Sequence, residues 1–163
     1  MGTHEQSIGA TNDWYTPPEV FAALGWPDFD LDVAAPEDRR LTCAPAKRFI
    51  TADSLAQPWD GFIWMNPPFG GRNGIKPWLD KFITHGNGIA LTPDRTSAPW
   101  WQDCAPHMDL ILFVRGKIKF MTPVGTRGSQ PAQGTCLMSR GERGAAALKT
   151  AARRGFGFLM VAA

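Results

Sequence analysis

The residues best suited to chemistry are Asn66-Pro67-Pro68-Phe69, which follow the apolar run Gly61-Phe62-Ile63-Trp64-Met65. Two successive prolines can neither continue a β-ladder nor enter a helix interior, so a strand over 61–65 must stop at Asn66. The backbone is therefore rigid where an amide and an aromatic ring are presented together. The amide carries an acceptor and two donors on one planar group, and the ring offers a flat stacking face. Beside a bound methyl donor, that pair suits methylation of an amino group on a planar base.

The elements that would position such a donor lie upstream. Thr16-Pro17-Pro18-Glu19 has the form of a helix start, with a hydroxyl cap, proline in the first turn and an acid three residues after the cap. It predicts a helix over Pro17–Leu24, ended by Gly25. Helix N-termini bind carboxylates, so this turn, with Trp14 or Tyr15, either lines a pocket or carries Thr16 merely as a cap. Asp30–Val33 alternates apolar and acidic residues and predicts a strand with Asp32 at its carboxyl end. Ligands of open α/β sheets bind beyond the carboxyl ends of strands, and the small Ala34 and Ala35 that follow would let a ligand approach the backbone. A solvated edge strand explains the same alternation. Asp53 again follows a short predicted strand, Arg48–Thr51, although aspartate is common in turns for local reasons.

Downstream, the pattern predicts a helix over Ile75–Thr84, with Trp78, Leu79, Phe82 and Ile83 in the core, and a strand over Ile89–Thr92. A short helix opens in Asp94–Trp101, and Met108–Val114 is a buried strand. Arg115–Phe120 is a basic strand or turn, and Met121–Gly134 is a long loop. A strand over Thr135–Ser139, a helix over Glu142–Arg154 and a strand over Phe156–Val161 complete the chain. Most of the seven tryptophans belong in the core. About seven short strands alternating with helices predict a doubly wound α/β sheet. The 163 residues suit one domain over 13–163, after a polar, flexible N-terminus at 1–12.

Composition narrows the function classes. There is no apolar run long enough to cross a membrane and no secretion signal at the N-terminus. Three cysteines and three histidines without ligand spacing predict no metal centre, and the odd cysteine count fits free thiols in a reducing cytoplasm. Charge is segregated. Residues 1–114 hold eight Lys/Arg and fourteen Asp/Glu, whereas 115–163 hold nine Lys/Arg and one acid, Glu142. Such a basic third suits a phosphate backbone; a solvated basic face explains it equally well.

The ordered set Asp-Trp-x-Thr-Pro at 13–17, Phe-Asp-Leu-Asp-x-Ala-Ala at 29–35, Asp-Ser-Leu at 53–55 and Asn-Pro-Pro-Phe at 66–69 resembles the phage-type DNA N-6-adenine methyltransferases, relatives of Dam. Trp100-Trp101 and Gly116-Lys-Ile-Lys-Phe120 resemble that family too. The acidic-Ala-Ala stretch departs from the glycine-rich first motif of methyltransferases at large. The resemblance implies a Rossmann-like, mixed seven-stranded sheet of the class I kind that binds S-adenosylmethionine. It implies Thr16 and Pro17 near the methionine end of the cofactor, with Trp14 against it. Asp32 and Ala34 would lie after the first strand, near the ribose or the methionine ammonium, and Asp53 near the adenosine. Asn66, Pro67, Pro68 and Phe69 would form the catalytic loop, acting on an adenine flipped from duplex DNA. The length leaves no room for a separate target-recognition domain. DNA contacts would therefore fall to Arg72, Arg95, Arg115, Lys117, Lys119 and Arg127. A phage or prophage protein working in a bacterial cytoplasm is implied, as monomer or homodimer. The residues alone leave open a cytosine, RNA or protein-glutamine substrate, or a non-catalytic nucleic-acid-binding module.

Overall fold

The computed structural model describes residues 14–70, 74–128 and 133–161. The chain runs α1 (Pro18–Leu24), β1 (Phe29–Asp32), β2 (Ala46–Phe49), β3 (Ile63–Met65), α2 (Lys76–His85), β4 (Gly88–Pro93), α3 (Pro99–Cys104), β5 (Leu110–Val114), β6 (Thr135–Arg140), α4 (Glu142–Arg153) and β7 (Gly157–Val161). Single 3₁₀ turns occur at Arg39–Leu41, Ser54–Ala56 and Ala105–His107. All seven strands join one sheet in the order β2-β1-β3-β4-β6-β5-β7. The first four are parallel. β6 is antiparallel to β4 and β5, and β7 is antiparallel to β5. This is the mixed α/β sheet that the sequence pattern and the resemblance predict.

Burial explains the order of strands. Every residue of β3 and β4 is buried, as strands covered on both faces must be. Successive side chains alternate between faces. Trp64 of β3, with Phe29, Phe62, Ile89 and Leu91, meets Phe21 of α1 and Leu148 of α4 on one face. Ile63 and Met65, with Leu31 and Ala90, meet Leu79 and Phe82 of α2 and Trp100 of α3 on the other. The sheet is thus doubly wound. The β2 edge is guarded by exposed Lys47 and Arg48, which pair with Asp28, Asp30 and Asp60. Charged side chains of this kind discourage edge-to-edge pairing.

Several boundaries differ from the sequence reading for local reasons. β1 is Phe29–Asp32, one residue earlier than predicted at each end. β2 is Ala46–Phe49 rather than Arg48–Thr51, and the chain bends at Ala52. Ile50 still donates to the Asp32 carbonyl at 2.9 Å and accepts from Ala35 at 3.0 Å. The helix expected from Asp94 begins only at Pro99, which takes its first turn. The 121–134 loop is structured in its first part. Tyr15 and Met121 exchange backbone bonds of 3.0 and 2.9 Å, and Thr122 donates to Thr126 at 2.8 Å. Among the tryptophans, Trp59, Trp64 and Trp100 are buried and Trp78 and Trp101 pack against the core, so most belong there as expected; Trp14 and Trp26 are exposed.

Candidate active site

From β1 the chain passes to β2 on one side and then to β3 on the other. Such a reversal leaves a crevice at the carboxyl ends of β1 and β3, where α/β sheets bind ligands. A cavity of about 1230 Å³ opens there. Its walls are the segments leaving β1 (Val33–Asp38), β2 (Ile50–Ala56) and β3 (Asn66–Gly70), together with Trp14, Tyr15, Trp78 and Gln133. A smaller cavity beside it is lined by Thr16, Asp32, Thr42 and Asn66 among others.

Asn66 stands at the junction of the two. Its Nδ2 donates to the Trp14 carbonyl at 2.9 Å and to Thr16 Oγ1 at 3.1 Å. A carbonyl can only accept, so the amide is held in one orientation. No described residue bonds its Oδ1, leaving this acceptor for a ligand. Thr16 is buried and does not cap α1 as predicted. Pro17 takes the N-cap position, with no side-chain cap. The Thr16 hydroxyl serves Asn66 instead. Glu19, the expected capping-box acid, is paired by both Arg127 guanidinium nitrogens, and that pairing holds its carboxyl below the usual range. Pro67 is buried, Pro68 exposed. Phe69 is half-buried, lines the cavity and packs against the cores of both sheet faces.

The acids behave differently from one another. Asp32 is only 3% exposed. Burial pushes its carboxyl up to about 7, against opposing help from the Ala34 amide, Arg39 and Thr42. Its Oδ1 accepts from Ala34 N at 3.1 Å, so it shapes the cavity wall through the backbone. It lines only the smaller cavity, as does Thr16, while Pro17 lines neither. Trp14, Ala34 and Asp53 reach the main one. Asp38 is occupied by Arg40 through its backbone and guanidinium. Asp53 has no side-chain bond to any described residue. It is exposed and takes the left-handed conformation, φ 51° and ψ 31°, which aspartate tolerates better than most residues. The turn it begins is tied down by Lys81 and Trp59. The thiols are unsuited to nucleophilic work: burial raises Cys104 and Cys136 to about 11.

The predicted basic residues spread around the same end of the sheet. β5 runs parallel to β4 across the intervening β6, so Arg115 leaves the sheet at its carboxyl edge. Lys117 and Lys119 are exposed and alternate with the buried Ile118 and Phe120. The Tyr15–Met121 bridge then brings the chain back to Trp14. Arg127 is ion-paired with Glu19. Arg95 Nε donates to Gln133 on the cavity wall. Arg72 lies outside the described residues. Trp78, Gln133 and Glu37 line the cavity without having been singled out from sequence. Trp78 sat in a helical apolar stripe, which signals core as readily as wall.

A ligand-sized cavity at the switch point of a doubly wound sheet, with Asn-Pro-Pro-Phe in its wall, defines a Rossmann-like methyltransferase. The chain belongs to the DNA N-6-adenine-methyltransferase (Dam) family, whose family model matches residues 5–140. Its activity is therefore that of a DNA adenine N6-methyltransferase in the general sense, a class that uses S-adenosylmethionine. Comparison with curated proteins and with solved structures returned no match. Among the described residues, no helix is long and apolar enough to cross a membrane.

Proposed function

We propose that this protein binds S-adenosylmethionine in the large cavity. It would use Asn66 to methylate the N6 amino group of an adenine flipped out of duplex DNA at a particular sequence, in the bacterial cytoplasm that the phage-type resemblance implies. The observation that carries the reading is the locked Asn66 amide, which lines the cavity and whose two donor hydrogens are consumed by Trp14 and Thr16, leaving its acceptor unbonded by any described residue.

The residues present fit the cofactor. Pockets for a single drug-sized ligand measure about 300–1,000 Å³, and this cavity, at about 1230 Å³, exceeds that range. The unbonded Asp53 carboxylate suits ribose hydroxyls, Ala34 and Ala35 allow close approach to backbone, and Trp14 offers an exposed ring edge. When bound, the cofactor supplies an electrophilic methyl on a sulfonium centre. The work of the chain is then positional. An aromatic amino group is a poor nucleophile because its lone pair is delocalised into the ring. With the Asn66 Oδ1 and the Pro67 carbonyl accepting its two N–H bonds, the nitrogen is held and drawn towards a tetrahedral shape. Phe69 stacks on the base and, being wedged between both cores, holds its plane. Orientation of this kind can supply about 7–11 kcal/mol of a barrier. Because the amino edge of adenine is paired in the duplex, the base must leave the stack first. The exposed basic residues at 115–127, and Arg95, which bonds Gln133 on the cavity wall, would take the phosphates and base edges.

The test is transfer of labelled methyl from S-adenosylmethionine to duplex DNA, followed by nucleoside digestion. N6-methyladenine is the expected product. Methylcytosine would move the substrate, and no methylated base from any duplex would leave only a binding module. Asn66→Ala is expected to abolish transfer while cofactor affinity stays near that of the wild type. Near-normal turnover in that variant would remove the role assigned to Asn66.

A further inference from the structure

Beyond the cavity wall, Lys81 of α2 reaches back to the turn after β2. Its Nζ donates to the carbonyls of Ser54 and Leu55, both at 3.0 Å, and to that of Gln57. Three donors on one ammonium meet three converging acceptors. These are carbonyls of the Ser54–Ala56 turn and of its C-cap Gln57, and that of Ser54 also accepts from Gln57 N at 3.2 Å. A cation there also complements the negative end of the turn's dipole. The ammonium sits 4.5 Å from the centre of the Trp59 ring, and Trp59 Nε1 donates to the Ser54 carbonyl and hydroxyl at 3.1 and 3.0 Å. Gln57 closes the turn from the other side by donating to the Ala52 carbonyl at 2.7 Å. All of these bonds fasten the segment that carries Asp53. Asp53 itself contributes no cap bond and adopts a left-handed conformation, which persists only where the surroundings impose it.

We propose that Lys81 is a positioning residue for cofactor recognition: by gathering the Ser54, Leu55 and Gln57 carbonyls it holds the Asp53 carboxylate towards the cavity. This rests on the reading of Asp53 as the group that meets the cofactor's ribose hydroxyls. Lys81 follows Asn66-Pro-Pro-Phe in the chain and is borne on the helix behind it, so one ammonium ties the catalytic segment's helix to the acid-bearing turn. The pocket's two halves are thereby kept in register without Lys81 touching a ligand.

The experiment measures S-adenosylhomocysteine affinity by calorimetry for the wild type, Asp53→Ala, Lys81→Met and the double variant. Lys81→Met keeps the stem over Trp59 and removes all three donors. It is expected to weaken binding on the order of tenfold, within the range of coupled neighbours, with KM for DNA unchanged. In the Asp53→Ala background the same change is expected to do nothing further, because its effect runs through Asp53. A purely structural lysine would lower affinity equally in both backgrounds, and that result overturns the proposal. So does unchanged affinity in Lys81→Met. Wild-type affinity in Asp53→Ala overturns the Asp53 reading separately, and the proposal with it. If Lys81→Met does not fold, Lys81→Gln, which keeps two donors and loses the charge, is read in the same way.

Discussion

Replacing Asp32 by Asn is expected to stabilise the cofactor-free protein, and to do so in a pH-dependent manner. The carboxyl is 3% exposed, and burial moves it from the ordinary 3.8 to about 7. Between those values the folded chain retains a proton that the unfolded chain has released, so stability falls as pH rises through this window and levels off above about 7. At about 1.4 kcal/mol for each pH unit of displacement, the ionised form costs the folded state about 4 kcal/mol at pH 8. Asn is nearly isosteric, never ionises, and still offers an oxygen to Ala34 N, the 3.1 Å bond that Asp32 makes. The expected gain is therefore about 4 kcal/mol at pH 8 and less than about 2 kcal/mol at pH 5, where the wild-type carboxyl is already protonated in the folded state. Urea unfolding of both proteins at the two pH values measures it. An equal change at pH 5 and pH 8, or a loss of stability at pH 8, would refute the claim that desolvation dominates at this site.

Other perturbations follow from single contacts. Thr16→Val removes one of the two acceptors that orient Asn66. One such bond is worth about 1 kcal/mol, so kcat is expected to fall several-fold while cofactor affinity by calorimetry stays put; an unchanged kcat would show that the Trp14 carbonyl suffices alone. Gly88→Ala would put a Cβ 2.6 Å from the Ile63 carbonyl and 2.5 Å from its Cγ1. The resulting overpacking in the sheet centre should cost roughly 1–3 kcal/mol or more in urea unfolding. Substituting Lys117 and Lys119 together by Ala is expected to lower the slope of log K against log salt for DNA by about two, if each meets one phosphate. A slope equal to the wild type's would take both off the DNA surface.

Local signals in the sequence hold at some residues and yield at others, and the reason differs by residue. That β3 ends before Asn66 follows from two prolines whose effect is covalent and therefore independent of context. The helix start at Thr16 rests on a local hydroxyl, and a local preference yields when a distant partner competes: Asn66, fifty residues on, takes that hydroxyl, and Arg127 takes Glu19. Trp78 sits among Leu79, Phe82 and Ile83 at helical spacing, which locates a face of α2 but not where the neighbouring element ends and the ring becomes a cavity wall. Asp38 and Asp53 look alike in the sequence. Only the first has an arginine two residues later, and it is the one whose oxygens are spent.

The site as a whole depends on something periodicity cannot express. Strand pattern reveals that segments near 29, 46 and 63 are extended, but not which lie side by side. The cavity exists because β3 returns to the far side of β1 from β2. Had β3 added beyond β2, Asp32 and Asn66 would be separated by a whole strand, and Thr16 could not reach the amide that it now orients. What selects the observed order is burial. β3 is buried at every position and needs a strand on each side, whereas β2, with exposed Lys47 and Arg48, tolerates only one. The charges that make β2 an edge thus also force the Asn66-Pro-Pro-Phe segment inward, next to the strand that carries the buried acid.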